Sequence, residues 1–433
     1  MTRSATRNDL AQSLALLSLF FLPLLPRPTS GGVEALAAPL FVAGLAYLTI
    51  IYSLVTGAHR WLTTSHMLVL GLSVLATTLY SVRVVALHEG AEITFAASRW
   101  ALILAALSVS LLMATPRAFR RGLATYLIGF LVLATLAAFI GVTGFALFER
   151  PLPARTFGIP MPFFKTAGVP RSYGEQGIIL SIALAFVLVY WKQMSTPRRW
   201  LLLGGCAVIL GMGQSRNMML AAAVLVATWF LAVRTRSWVL TRFALLGASL
   251  ATFLVSQALP TLTELGFVRA LVGEGIFERN VTVRGTLAYG AVRLLTENPW
   301  AAAFGWPHSA WAEINGLDTE AGVHNHFLSN LVFLGVIGGT LTIAAFYWIP
   351  LARILRTVET AELTSEQHDR RAFVLVAAAG VLTSLNFYEG FFSITLALFI
   401  GVSWWLMSET DLRQDGADPD SPRMTRARSR AAS

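Results

Sequence analysis

Long apolar runs separated by short polar turns fill most of this chain. They cover residues 10–26, 36–56, 66–85, 93–114, 122–147, 174–193, 199–213, 217–233, 238–258, 323–349, 372–388 and 391–407. Most are about 17 to 25 residues long, and a helix of that length crosses a hydrocarbon core about 30 Å thick. The pattern predicts an all-α polytopic integral membrane protein with about twelve transmembrane helices. Ten-residue stretches of alternating apolar and polar positions, the mark of a membrane β-barrel, do not occur. Two connections are long enough to hold structure of their own, residues 148–173 and 260–322. Within the second, residues 261–272 and 284–297 have helical periodicity, with Leu287, Ala291, Leu294 and Leu295 on one stripe. They are expected as short amphipathic helices lying at the membrane interface.

Composition agrees with the pattern. Hydrophobic residues make up 55% of the chain and charged ones 13%, whereas a soluble globule carries about a quarter charged residues. Arg3 and Arg7 precede the first run as they would in a signal peptide, but Pro23, Pro26, Arg27 and Pro28 occupy the place where a small-residue cleavage site would lie. The first run is therefore read as a membrane helix. The single cysteine, Cys206, falls inside the seventh run, which excludes an intrachain disulfide and a cysteine-based zinc cage.

The net charge of +10 reports orientation first, because cytoplasmic loops of membrane proteins collect Lys and Arg. With the N terminus inside, Arg3, Arg7, Arg117, Arg120, Arg121, Arg353, Arg356, Arg370 and Arg371 fall in inner segments together with the arginines of the tail. Arg83, Arg99, Arg171, Arg216 and Arg284 fall on the outer side. Both termini are then cytoplasmic. Residues 1–413 form a single helical domain, and residues 414–433, ending in SPRMTRARSR and the last three residues, form a disordered basic tail held near anionic lipid rather than a nucleic-acid arm.

Asp, Glu and Lys are scarce inside the runs, and no inverted repeat with matching helix breaks is visible. Both observations count against a secondary transporter. The polar residues that need explaining gather at predicted helix starts on the outer side: Arg171 in VPRSYGEQG, Arg216 in GMGQSRNMML, Arg284 in TVRGTLAYG and His324 in GVHNHFLSN. Helix starts favour anions through unpaired N–H groups and the helix dipole. Arginines there suit a phosphorylated donor, and a histidine beside them suits proton removal from an incoming hydroxyl. His326, two residues on, points to a different helix face. Asn325 orients or caps, and Gly335, Gly338 and Gly339 allow close helix packing. Trp300, Trp306 and Trp311 fit an interfacial belt as well as a sugar-stacking platform. No HExxH, paired aspartates or Cys/His cluster points to a metal.

His324-Asn325, nine residues, then Gly335-Val-Ile-Gly338 resembles the pattern of bacterial O-antigen ligases and the related O-antigen and exopolysaccharide polymerases. The similarity extends over roughly residues 170–345 and takes in Ser215-Arg216 and the segment RGTLAYGAVRLLTENPWAAAFGW, 284–306. Two places differ: Glu175-Gln176 where the family often has Pro-Asn, and Gly305-Trp306-Pro307 where it often has Gly-x-Gly. The resemblance implies a metal-independent glycosyltransferase of the bacterial inner membrane, without cofactor, whose site faces the periplasm. Its donor would be a glycan linked through pyrophosphate to a polyprenol. Its acceptor would be a sugar hydroxyl of lipid-A core or of a growing polysaccharide, or a protein hydroxyl. By resemblance, Arg216 and Arg284 hold the pyrophosphate, with Arg171 and Asn325 as further substrate contacts, and His324 activates the acceptor. The unbroken His-Asn-x9-Gly-x-x-Gly spacing favours a ligase over a polymerase. A lipid-linked glycan transporter is the rival from another class, and would carry arginines within its spans.

Overall fold

The computed structural model describes residues 33–55, 62–87, 90–112, 116–143, 152–156, 159–165, 173–213, 215–247, 287, 290–307, 311, 325–360, 363–386 and 396–414. Their helices are α1 (Val33–Val55), α2 (Thr64–Ala86), α3 (Ile93–Leu112), α4 (Pro116–Val142), α5 (Tyr173–Tyr190), α6 (Thr196–Gly213), α7 (Arg216–Trp229) and α8 (Trp238–Gly247). There follow α9 (290–297), α10 (Pro299–Phe304), α11 (His326–Phe333), α12 (Gly335–Ile343), α13 (Ile349–Thr360), α14 (Ser365–Leu385) and α15 (Leu396–Gln414). A π turn, Phe230–Arg234, extends α7, and another, Ala344–Trp348, joins α12 to α13. Among the described residues, six helical segments are long and apolar enough to cross a membrane: Thr64–Ala86, Ile93–Leu111, Gly122–Ile140, Glu175–Gln193, Asn217–Arg234 and Gly335–Glu359. By that measure this is a mainly helical membrane protein. The first apolar run and the 261–272 periodicity lie outside the described residues, as does the tail beyond Gln414.

Among the described residues one element, a β-hairpin, is not helical. β1 (Leu152–Thr156) and β2 (Ile159–Lys165) pair antiparallel, Leu152 opposite Lys165 and Thr156 opposite Ile159, with a register slip between Pro153 and Arg155. The hairpin stands inside the 148–173 connection and touches α4 and α6. Pro153, Pro160 and Pro162 hide it from a periodicity search, because proline reads against a strand.

The helices pack in two joined groups. In one, α14 lies against both α5 and α7, which also touch each other. In the other, α3 contacts α1, α2 and α15. From Ala372 to Leu385 every residue of α14 is buried, which explains a sequence, AFVLVAAAGVLTSL, with no polar face. By contrast α1 and α2 turn Leu40, Phe41, Leu48, Leu68 and Val82 outward, as lipid contact requires. At the end of the bundle where α14 begins, Arg370 and Arg371 are fully buried against Glu409 of α15, at 2.8 and 3.5 Å. These two arginines, counted among the inner-segment charges, are thus committed to a partner on another helix. They clamp α14 to α15, and removing one partner from such a buried pair costs about 3–5 kcal/mol. Gln193 donates to Asp369 at 2.6 Å at this same end.

The apolar run 323–349 is not one helix. α11 ends at Leu334, and Gly335 opens α12 with φ +72°. In a continuous helix, residues nine apart lie about 13 Å from each other. A β-carbon on Gly339 would instead lie 2.7 Å from the carbonyl oxygen of Asn330 and 2.9 Å from Cα of Leu331. The chain therefore doubles back at Leu334–Gly335, and α11 runs alongside α12 into the bundle.

Candidate functional site at the doubled-back helix

A short helix buried in a bundle must have the free groups at both of its ends answered. Asn325 answers one end of α11. Its Oδ1 accepts from the N–H groups of Phe327 and Leu328 at 3.0 and 3.1 Å, while its Nδ2 donates to the carbonyl of Asn386, just past the end of α14, at 3.1 Å. At the other end, Arg83 of α2 donates to the Phe333 carbonyl at 3.0 Å, and the Trp306 N–H donates to the Val332 carbonyl at 2.8 Å. Arg83 stands over the ring of Tyr80, whose hydroxyl donates to buried Glu92 at 2.8 Å. Gly305, φ +96°, lets α10 press on the turn. A β-carbon there would overlap the Phe333 carbonyl, as one on Gly335 would overlap that of Ala303. The glycines of the motif are thus packing and turning residues.

The interior of the hairpin is polar. His326, Ser329 and Asn330 are buried. A hydrogen bond of 3.0 Å joins His326 Nε2 to the Tyr347 hydroxyl in the π turn. Asn330 donates to the His326 carbonyl at 2.6 Å. Beside them Arg99, seven residues into α3 and fully buried, donates to Thr342 at 3.1 Å and faces the ring of Phe346. Arg99 is therefore a buried cation inside a span. His326 is likewise an integral core residue.

Four chain segments meet where α11 begins. Asn217, the second residue of α7, donates to the Ser384 carbonyl at 3.3 Å, two residues before Asn386. A β-carbon on Gly177, near the start of α5, would lie 2.8 Å from Ser384 Oγ, and one on Gly213, at the end of α6, would lie 3.5 Å from Gln176 Oε1. Gln176 Oε1, Ser384 Oγ, Asn217 Oδ1 and His326 Nδ1 are buried without a hydrogen-bond partner among the described residues.

Of the residues singled out from sequence, Arg171, Arg284 and His324 lie outside the described residues, and Arg216 is described only as the first backbone residue of α7. What the fold brings together are their neighbours: Asn217 after Arg216 and Asn325 after His324, both bound to the last turn of α14. Arg171 precedes α5, whose start meets the same turn. Asn325 has its oxygen committed to the cap. The stripe Leu287, Ala291 and Leu294 is buried with Tyr80, Trp311 and Phe333, so it packs on protein and not on lipid. The three tryptophans separate: Trp311 is buried, Trp306 donates to the Leu294 carbonyl at 3.3 Å, and Trp300 is 77% exposed and stacked on Phe304. Tyr347 and Asn386 escaped the sequence reading and Arg99 entered it only as an outer-side charge, although a lone Arg in the run 93–114 and an Asn after Thr383-Ser384 were signals available there. Among the described residues no three His, Cys, Asp or Glu side chains stand together to hold a metal. Comparison with protein-family models and with curated protein sequences finds no match to this chain.

Proposed function

We propose that this protein is a metal-independent membrane glycosyltransferase of O-antigen ligase type. It moves a glycan from polyprenyl pyrophosphate to an acceptor hydroxyl at the periplasmic face of a bacterial inner membrane. Its topology is about twelve spans with both termini cytoplasmic. The supporting observation is the bridge from Asn217 to Ser384 and from Asn386 to Asn325, which draws the starts of α7 and α11 to one turn of α14. Arg216 and His324 are peptide-bonded to the two ends of that bridge.

His324 takes the proton of the acceptor hydroxyl. The acceptor oxygen forms its bond to the anomeric carbon as the bond from that carbon to pyrophosphate breaks. Arg216 and Arg284 hold the departing polyprenyl pyrophosphate, whose charge grows as it leaves. Purified protein supplied with a lipid-linked glycan and an acceptor oligosaccharide tests this. His324→Ala is expected to lower transfer about a hundredfold or more, as loss of a general base does, while donor binding stays within about twofold because the arginines carry it. Transfer by His324→Ala at the wild-type rate, normalised to protein eluting as a folded species, removes the assignment.

Arg99 favours a second reading. A buried guanidinium within a span is what a lipid-linked glycan transporter would carry along its path. Movement of labelled donor across proteoliposomes without transfer would select it.

A further inference from the structure

The start of α11 hangs on two joints. The first is the Asn325 tie to α14. The second is the His326–Tyr347 hydrogen bond, which comes from a different element, a π turn. A π turn inserts one extra residue into a helix and is often found at functional sites. Here it sends Phe346 to Arg99 and Tyr347 to His326. Tyr347 is packed on Phe327 and stacked on Phe399, with ring centres 5.9 and 6.5 Å away, and Trp404 donates to the Ala345 carbonyl at 2.9 Å. Its hydroxyl has little freedom to seek another partner.

We propose that the His326–Tyr347 joint sets the position of the α11 start and thereby the aim of His324, so that His326 and Tyr347 are positioning residues. This rests on the transferase reading for its kinetic consequence and on geometry alone for its structural one. Misplacing a reacting group by about 1 Å costs up to about a hundredfold in rate without a matching loss of binding. The joint holds no substrate, so its loss shows in kcat and not in KM.

The test joins two measurements on full-length protein. In Tyr347→Phe, kcat for transfer is expected to fall about tenfold or more, with donor KM within about twofold. Separately, spin labels on cysteines placed at His324 and at Val336, which is exposed on α12, in a Cys206→Ala background report the distance between them. The distribution is expected to be narrow with Tyr347 and broadened or displaced with Tyr347→Phe. His326→Gln, whose amide reaches the place of Nε2, is expected to keep it narrow, and His326→Leu to lose it. An unchanged distribution in Tyr347→Phe and His326→Leu overturns the proposal whatever the kinetics show. A changed distribution in a protein that transfers no glycan sustains the joint and removes the transferase.

Discussion

Asn325 illustrates how much one side chain does in a buried polar setting. Its oxygen closes two N–H groups at the start of α11, and its nitrogen ties that start to the Asn386 carbonyl. The two tasks separate by substitution. Asn325→Ala should lower stability by about 1–2 kcal/mol, the range for losing an N-cap, seen as a lower melting temperature in detergent. Asn325→Ser restores a capping acceptor but is too short to span to α14, so it should recover only part of the loss. Full recovery by Ser would show that the tie to α14 adds nothing.

Among the elements, α11 and α12 depend most on a single conformation. Gly335 holds φ +72°, and its missing β-carbon leaves space for the Ala303 carbonyl. Gly335→Ala combines a left-handed backbone with a steric overlap and should cost about 2–5 kcal/mol. Gly71 of α2 has nothing within 4 Å of its β position, so Gly71→Ala should stay within about 1 kcal/mol of the parent. Size-exclusion yield and thermal melting of the two variants read the contrast directly, and equal behaviour would mean that the turn at Leu334–Gly335 is not a fixed element.

For the whole molecule, the two ends of the bundle differ in kind. One carries the buried Arg370–Glu409 pair and the exposed charged network around Arg120, Gln193 and Asp369. The other carries the doubled-back helix and the exposed Trp300–Phe304 stack. Trp200, 61% exposed near the start of α6, marks the first end. In a Cys206→Ala background, a cysteine at Trp300 should react with a membrane-impermeant thiol reagent in intact spheroplasts, and one at Trp200 only after lysis. The reverse pattern would invert the orientation and place the candidate site in the cytoplasm.

What the sequence by itself determined is the helical membrane character, which six described segments carry by length and apolarity, because length and hydropathy alone decide whether a segment satisfies its backbone in lipid. It also pointed to the Asn325 cap and to the need for small residues at 335–339. Tertiary structure decided the rest. An apolar run reads the same whether it is one helix or two folded together, so the turn at Gly335 had no hydropathy signal. Arg370 and Arg371 looked like loop charges, and Arg99 like one more outer-side charge, because composition cannot tell a snorkelling arginine from one buried beside a partner from a distant helix. Thr342 lies 243 positions from Arg99, and Glu409 lies 39 from Arg370. The hairpin at 152–165 was hidden by its prolines. The pairing of α7 with α11 through one turn of α14 rests on contacts between residues 61 and 167 positions apart, and local sequence carries no trace of contacts that only close once the bundle has formed.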